Sequence, residues 1–251
     1  MSEQPQHNPY QVPATQVLDA DERFAASRHP RSVPAANGIA WIGYGWDLFM
    51  RAPGALVLLT IIYMIINFIL GSTLVAAILG PIFIGGYFIA LERLDASGEL
   101  RIEELFAPFQ SHLVPLLLLG VLMVGGTFLL FGVAFMLGLG TILGGGSDPS
   151  LGSIVFFLGV FVLAGLLFVL LYSVVFYGVI LVVLGQQRIG EALPNAIAAF
   201  LKNILPFLLN GIIGFVIILV ALIPFGLGLL VATPVLFGAM YASFRDIFAA
   251  E

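Results

Sequence analysis

Residues 154–184 read IVFFLGVFVLAGLLFVLLYSVVFYGVILVVL, without one charged side chain. A helix rising about 1.5 Å per residue needs roughly 20 apolar residues to cross about 30 Å of hydrocarbon. The run is longer than that and continuous, whereas a membrane barrel strand would alternate apolar with polar positions. It reads as a membrane-crossing helix. The same reading applied outward finds further spans at about residues 54–71, 73–91, 113–138, 205–223 and 227–244.

Composition points the same way. Of 251 residues, 61% are hydrophobic and 9% charged, with a mean hydropathy of +1.12; a soluble domain carries about 25% charged residues. A water-facing globule of this size could not cover so much apolar surface, so the lipid bilayer is the expected partner. The fold expected is an all-α polytopic transmembrane bundle of about six spans, arranged as three helical hairpins (about 54–91, 113–184 and 205–244). Gly71-Ser72-Thr73 and Pro224-Phe225-Gly226 turn the first and third hairpins. The glycine-rich stretch 138–153 is expected to stop the middle helices and form a flexible loop.

Orientation follows from Lys and Arg, which are retained on the cytoplasmic side of short loops. In the six-span arrangement all nine, Arg23, Arg28, Arg31, Arg51, Arg93, Arg101, Arg188, Lys202 and Arg245, fall on the side of the N-terminus. Both termini are therefore expected in the cytoplasm. Residues 1–38 are polar, hold Pro5, Pro9, Pro13, Pro30 and Pro34 and lack a helical period, so they are expected to form a disordered cytoplasmic tail, with the transmembrane domain over 39–251.

The segment before each hairpin has an apolar stripe at helical spacing: Trp41, Tyr44, Leu48 and Phe49; Ile102, Leu105, Phe106 and Phe109; Leu193, Ile197, Phe200 and Leu201. Such stripes beside a membrane read as interfacial amphipathic elbows. Each leads through a Phe to a Pro at the next span, as Phe49 to Pro53, Phe109 to Pro115 and Phe200 to Pro206. The returning helices of the first and third hairpins correspond at a constant offset, with Pro81, Gly85 and Arg93 matching Pro234, Gly238 and Asp246. An internal repeat of three hairpins is expected, the middle one keeping only Gly178 and the late Arg188. Small residues four apart, such as Gly86 with Ala90 and Gly238 with Ala242, should let helices approach closely.

The residues Pro30-Arg31-Ser32-Val33, Gly45-Trp46-Asp47-Leu48-Phe49-Met50-Arg51-Ala52-Pro53-Gly54, Leu94-Asp95-Ala96-Ser97-Gly98-Glu99-Leu100 and Leu105-Phe106-Ala107-Pro108-Phe109 carry a resemblance. Over roughly 30–251 the chain resembles a proteobacterial family of multi-pass inner-membrane proteins with a Gly-Trp-x-Leu-Phe-x-x-Ala-Pro signature. The resemblance implies a bacterial inner membrane. It transfers no functional residues, because the family's activity is not assigned.

The chemistry expected is sparse. Cysteine is absent, and His7, His29 and His112 show no ligand spacing, so no metal or cofactor is expected. The spans hold no Asp, Glu, Lys, Arg or His, which argues against an ion-driven pump, and the basic residues are too few for nucleic acid. No enzyme is expected. Two function classes stay open: a non-catalytic membrane component or scaffold, with a membrane-protein partner or a second copy of the chain, and a passive or weakly coupled permease for an apolar or lipid-like solute. Candidate helix-break or polar cavity positions are Pro81, Pro234, Asn67 and Asn210. Helix breaks at depth free backbone groups, and an amide is costly to leave without a partner in hydrocarbon.

Overall fold

The backbone leaves the helical region at two of the punctuation points read from the sequence. Gly71 has φ 63°, and Phe225 and Gly226 have φ 54° and 81°; Phe225 stands fully exposed at the tip of its turn. Thr73 then caps the returning helix by accepting from the Ala76 amide at 3.2 Å.

The structure, a computed structural model, describes residues 29–71, 73–144 and 150–248, with the side chains of 142–144 excepted. The expected tail through residue 28, Ser72 of the first turn and residues 145–149 of the glycine-rich stretch lie outside the described residues. Among those described the fold is all-α: α1 (Asn37–Arg51), α2 (Pro53–Leu70), α3 (Leu74–Ser97), a 3-10 turn (Ile102–Phe106), α4 (Pro108–Ser111), α5 (Leu113–Gly144), α6 (Leu151–Val183), α7 (Ile189–Lys202), α8 (Ile204–Leu222) and α9 (Leu229–Phe248). Five helices, α2, α3, α5, α6 and α8, are long and apolar enough to cross a membrane. The chain is thus built as a membrane protein. The sixth expected span, α9, falls outside that set because its last turns carry Arg245 and Asp246. It nevertheless returns to the level from which α8 sets out: the first turns of α1 touch both ends, Gly38 meeting the Pro206 carbonyl and Asn37 donating to Asp246 at 2.7 Å.

Three expectations need correction. The middle helices do not stop at Gly138; α5 runs on to Gly144 and α6 begins at Leu151. In lipid the helix is the cheapest way to satisfy every backbone group, which outweighs the roughly 1 kcal/mol that each glycine costs in a water-exposed helix. The second elbow is a 3-10 turn followed by the four-residue α4, because Pro108 lacks the N–H that would continue a single helix. Residues 29–38 are not free tail. Val33 N donates to Asn203 Oδ1 at 2.8 Å, Asn203 Nδ2 donates to the Arg31 carbonyl at 2.9 Å, Lys202 Nζ donates to the Pro30 carbonyl at 2.9 Å, and Arg31 N donates to the Ile247 carbonyl at 3.0 Å.

The small residues flagged at four-residue spacing, Gly86 and Gly238, do mediate close approach, and their partners are the elbows. Gly45 of α1 and Gly238 of α9 lie backbone against backbone, and Gly86 of α3 lies against the Leu105 backbone of the second elbow. Leu193 of α7 covers Gly178 of α6 at 3.6 Å from where a Cβ would stand. Each elbow therefore packs on the returning helix of another hairpin: the first on α9, the second on α3 and the third on α6. The contacts close a ring.

At the middle of that ring the three returning helices contribute one phenylalanine each. Phe88 of α3, Phe176 of α6 and Phe237 of α9 lie with centroids 5.6, 5.2 and 5.6 Å apart. Tyr87 lies tilted against Phe237 at 4.3 Å, and Tyr63 adds an edge contact to each of those two rings. The axis is filled.

Candidate functional site

The four candidate positions fall into two groups. Asn67 and Pro81 line one cavity of about 230 Å³ between α2, α3, α5 and α6, together with Tyr63, Gly80, Met123, Tyr172 and Phe176. Asn210 and Pro234 lie elsewhere, buried on α8 and α9 respectively. The structure joins the first pair and separates it from the second.

The cavity follows from local chemistry. Pro81 sits inside α3 and has no N–H, so the Ala77 carbonyl one turn earlier loses its helical donor. Ala76, Ala77 and Gly80 border the space, and a Cβ placed on Gly80 would meet nothing within 4 Å. Asn67 stands at the exposed end of α2 and donates to the Tyr63 carbonyl at 2.8 Å. Phe176 forms both part of the wall and part of the filled axis, so the cavity stops at the plug. Among the described residues no acid, base or histidine lines it.

The other pair is packed. Asn210 Nδ2 points at Met240 Sδ at 3.8 Å, while its Oδ1 is buried with no hydrogen-bond partner among the described residues. Pro234 is buried within α9. The remaining polar groups at depth mostly satisfy themselves. Thr60 donates to the Leu56 carbonyl and shares a hydrogen bond with Tyr87, each at 2.8 Å, and Thr127 and Ser173 bond back to Met123 and Val169.

A second constellation lies at the opposite end of the filled axis. Helix α3 continues past the expected limit of its span to Ser97, and Tyr87, Leu91 and Asp95 recur every fourth residue on one face. Asp95 accepts from Tyr44 at 2.7 Å, from Arg51 at 2.8 Å and from Tyr241 at 3.2 Å, and it pairs with Arg245. Burial and the adjacent Asp95 push the Tyr44 hydroxyl above its usual range, so it stays a neutral donor. Nearby, Asp246 accepts from Arg31, Asn37 and Trp41. Sequence reasoning placed Asp95 in a loop and missed this network; the every-fourth-residue continuation was the signal that could have found it. Arg31, Arg51, Arg93, Arg245 and Lys202 all engage partners at this end of the bundle.

Two carboxylates, Asp95 held by two arginines and two tyrosine hydroxyls and Asp246 by an arginine, an amide and an indole N–H, are suited to tying helices together. A small cavity with hydroxyls, an amide and a freed carbonyl is suited to holding an uncharged guest. No protein-family description, curated protein or solved structure matches the chain.

Proposed function

We propose that this chain is a non-catalytic component of a bacterial inner membrane, crossing it six times as three repeated hairpins, with both termini in the cytoplasm. The observation that carries this reading is the filled axis. Where three hairpins could have enclosed a path, Phe88, Phe176 and Phe237 close it with ring-to-ring contacts. The ring of elbows on returning helices supports the repeat, since each hairpin uses the same type of contact. The gathering of arginines and Lys202 at one end supports a cytoplasmic location for that end. The apolar outer surfaces of α5 and α6 are broadly exposed and free to meet lipid, a second copy of the chain or another membrane protein. Crosslinking in membranes followed by purification in detergent should recover a reproducible partner. A solitary, monodisperse protein that moves solute in liposomes would defeat the proposal.

A second reading is favoured by the cavity at Pro81: a passive permease for an apolar or lipid-like solute, caught with its axis shut. Replacing Pro81 by Ala returns an N–H to the Ala77 carbonyl and removes the free acceptor from the wall. Flux through liposomes should then fall well below that of the unsubstituted chain, while Pro234→Ala, at a packed site, should leave it intact. Equal flux in all three proteins would remove the permease.

A further inference from the structure

The lining of the cavity between α2, α3, α5 and α6 is specific about what it would hold. Most of its lining is aliphatic or aromatic, from Ile84, Met123, Val175, Phe176 and Val179. Against this stand the Tyr63 and Tyr172 side chains, the Asn67 amide and the Ala77 carbonyl freed by Pro81. The hydroxyls and the amide can both donate and accept, whereas the carbonyl only accepts. Among the described residues an anion would find no cation here, and a cation no carboxylate, so an ionised guest would lose its hydration without compensation. A purely apolar guest would offer nothing to the Ala77 carbonyl or the Tyr172 hydroxyl, an expensive outcome in a low-dielectric site. The volume, about 230 Å³, lies below the range of about 300–1,000 Å³ typical of drug-sized ligands.

We propose that this cavity is a binding site for a small uncharged molecule with an apolar body and one hydroxyl group, the hydroxyl donating to the Ala77 carbonyl and accepting from Tyr63 or Tyr172. The site takes its place from the permease reading, yet binding can be measured without flux. Protection without flux keeps the site and removes the permease; flux without protection removes the site alone.

The chain contains no cysteine, so Gly80→Cys supplies a single thiol beside Pro81 where open space exists. In lipid nanodiscs it should react with a small water-soluble methanethiosulfonate reagent. Phenol at ten times its half-protecting concentration should slow that reaction about tenfold. Benzoate, its charged counterpart, and toluene, which lacks the hydroxyl, should not. Tyr63→Phe combined with Tyr172→Phe keeps both rings, removes both hydroxyls and should abolish most of the protection. Ser150→Cys, exposed at the start of α6, controls for effects of phenol on the reagent or the bilayer and should show no protection. An unreactive Gly80→Cys, equal protection by phenol, toluene and benzoate, or protection that survives loss of both hydroxyls would each overturn the site. If the cysteine variant does not fold, saturation-transfer NMR with phenol decides the matter: the signal must be stronger for the unsubstituted chain than for the double Phe variant, and equal signals refute the proposal.

Discussion

At the scale of single residues, two kinds of contact hold the hairpins together, and they predict different outcomes for substitutions that look alike. Asp95 is almost covered, at 7% side-chain exposure, and joins α1, α3 and α9 through Arg51, Arg245, Tyr44 and Tyr241. Its arginine partners are about half exposed, which screens the charges. Asp95→Asn should therefore cost about 1–3 kcal/mol, seen as a lowered midpoint of thermal unfolding in detergent. Arg101→Ala, which removes only the exposed pair with Glu99, should shift the midpoint by less than the measurement error; equal shifts would show that Asp95 ties nothing. Gly45 and Gly43 make a sharper pair. A Cβ on Gly45 would collide with the Val235 carbonyl and the Ala239 amide, while one on Gly43 meets nothing within 4 Å. Gly45→Ala should destabilise by about 1–3 kcal/mol or prevent assembly, and Gly43→Ala should stay within about 0.5 kcal/mol of the unsubstituted chain. The sequence flagged Gly238 as a close-packing residue but not its partner, since no local pattern says which backbone will come within reach.

At the scale of elements, the middle hairpin differs from its neighbours. α5 and α6 have 32 and 33 residues, or about 48–50 Å of helix against a bilayer of about 40–45 Å including headgroups. Their inner ends are fastened, Leu116 and Val183 against Gly85 and Gly120 against the Ile78 backbone. Their outer halves touch mainly each other, through Gly126 with Leu171, Gly138 with Phe157 and Phe131 with Phe168. Helices too long for the membrane accommodate by tilting. Infrared dichroism of oriented bilayers, with isotope labels in α6, should give a tilt of about 30° or more that decreases in thicker lipid. A tilt matching that of α8, with its 19 residues, and unaffected by thickness would refute this. The apolar run of α6 was plain in the sequence. The helical extension of α5 across Gly138 and Gly140 was not, because turn propensity is calibrated on chains whose backbone has water as an alternative partner.

At the scale of the whole molecule, the charged end should face the cytoplasm. Because the chain has no cysteine, Ser97→Cys and Ser150→Cys report the two ends singly; both positions are exposed. In intact bacterial cells an impermeant maleimide should modify Ser150→Cys and reach Ser97→Cys only after the membrane is opened. The reverse pattern would invert the orientation, and modification of both would end the six-crossing arrangement. What the amino-acid order determined alone was the solvent and the helices: continuous apolar runs can satisfy their backbone in lipid only as helices, and Gly71 and Gly226 mark where those helices turn. What only the tertiary structure decided was which surfaces meet. Asn67 and Pro81 share a cavity while Asn210 and Pro234 are packed apart from it, and the three phenylalanines close the axis. The reason is that hydrophobicity is non-directional: it places a side chain out of water but does not choose its neighbour, and that choice rests on shape, on backbone approach at glycine and on hydrogen bonds between residues far apart in the chain.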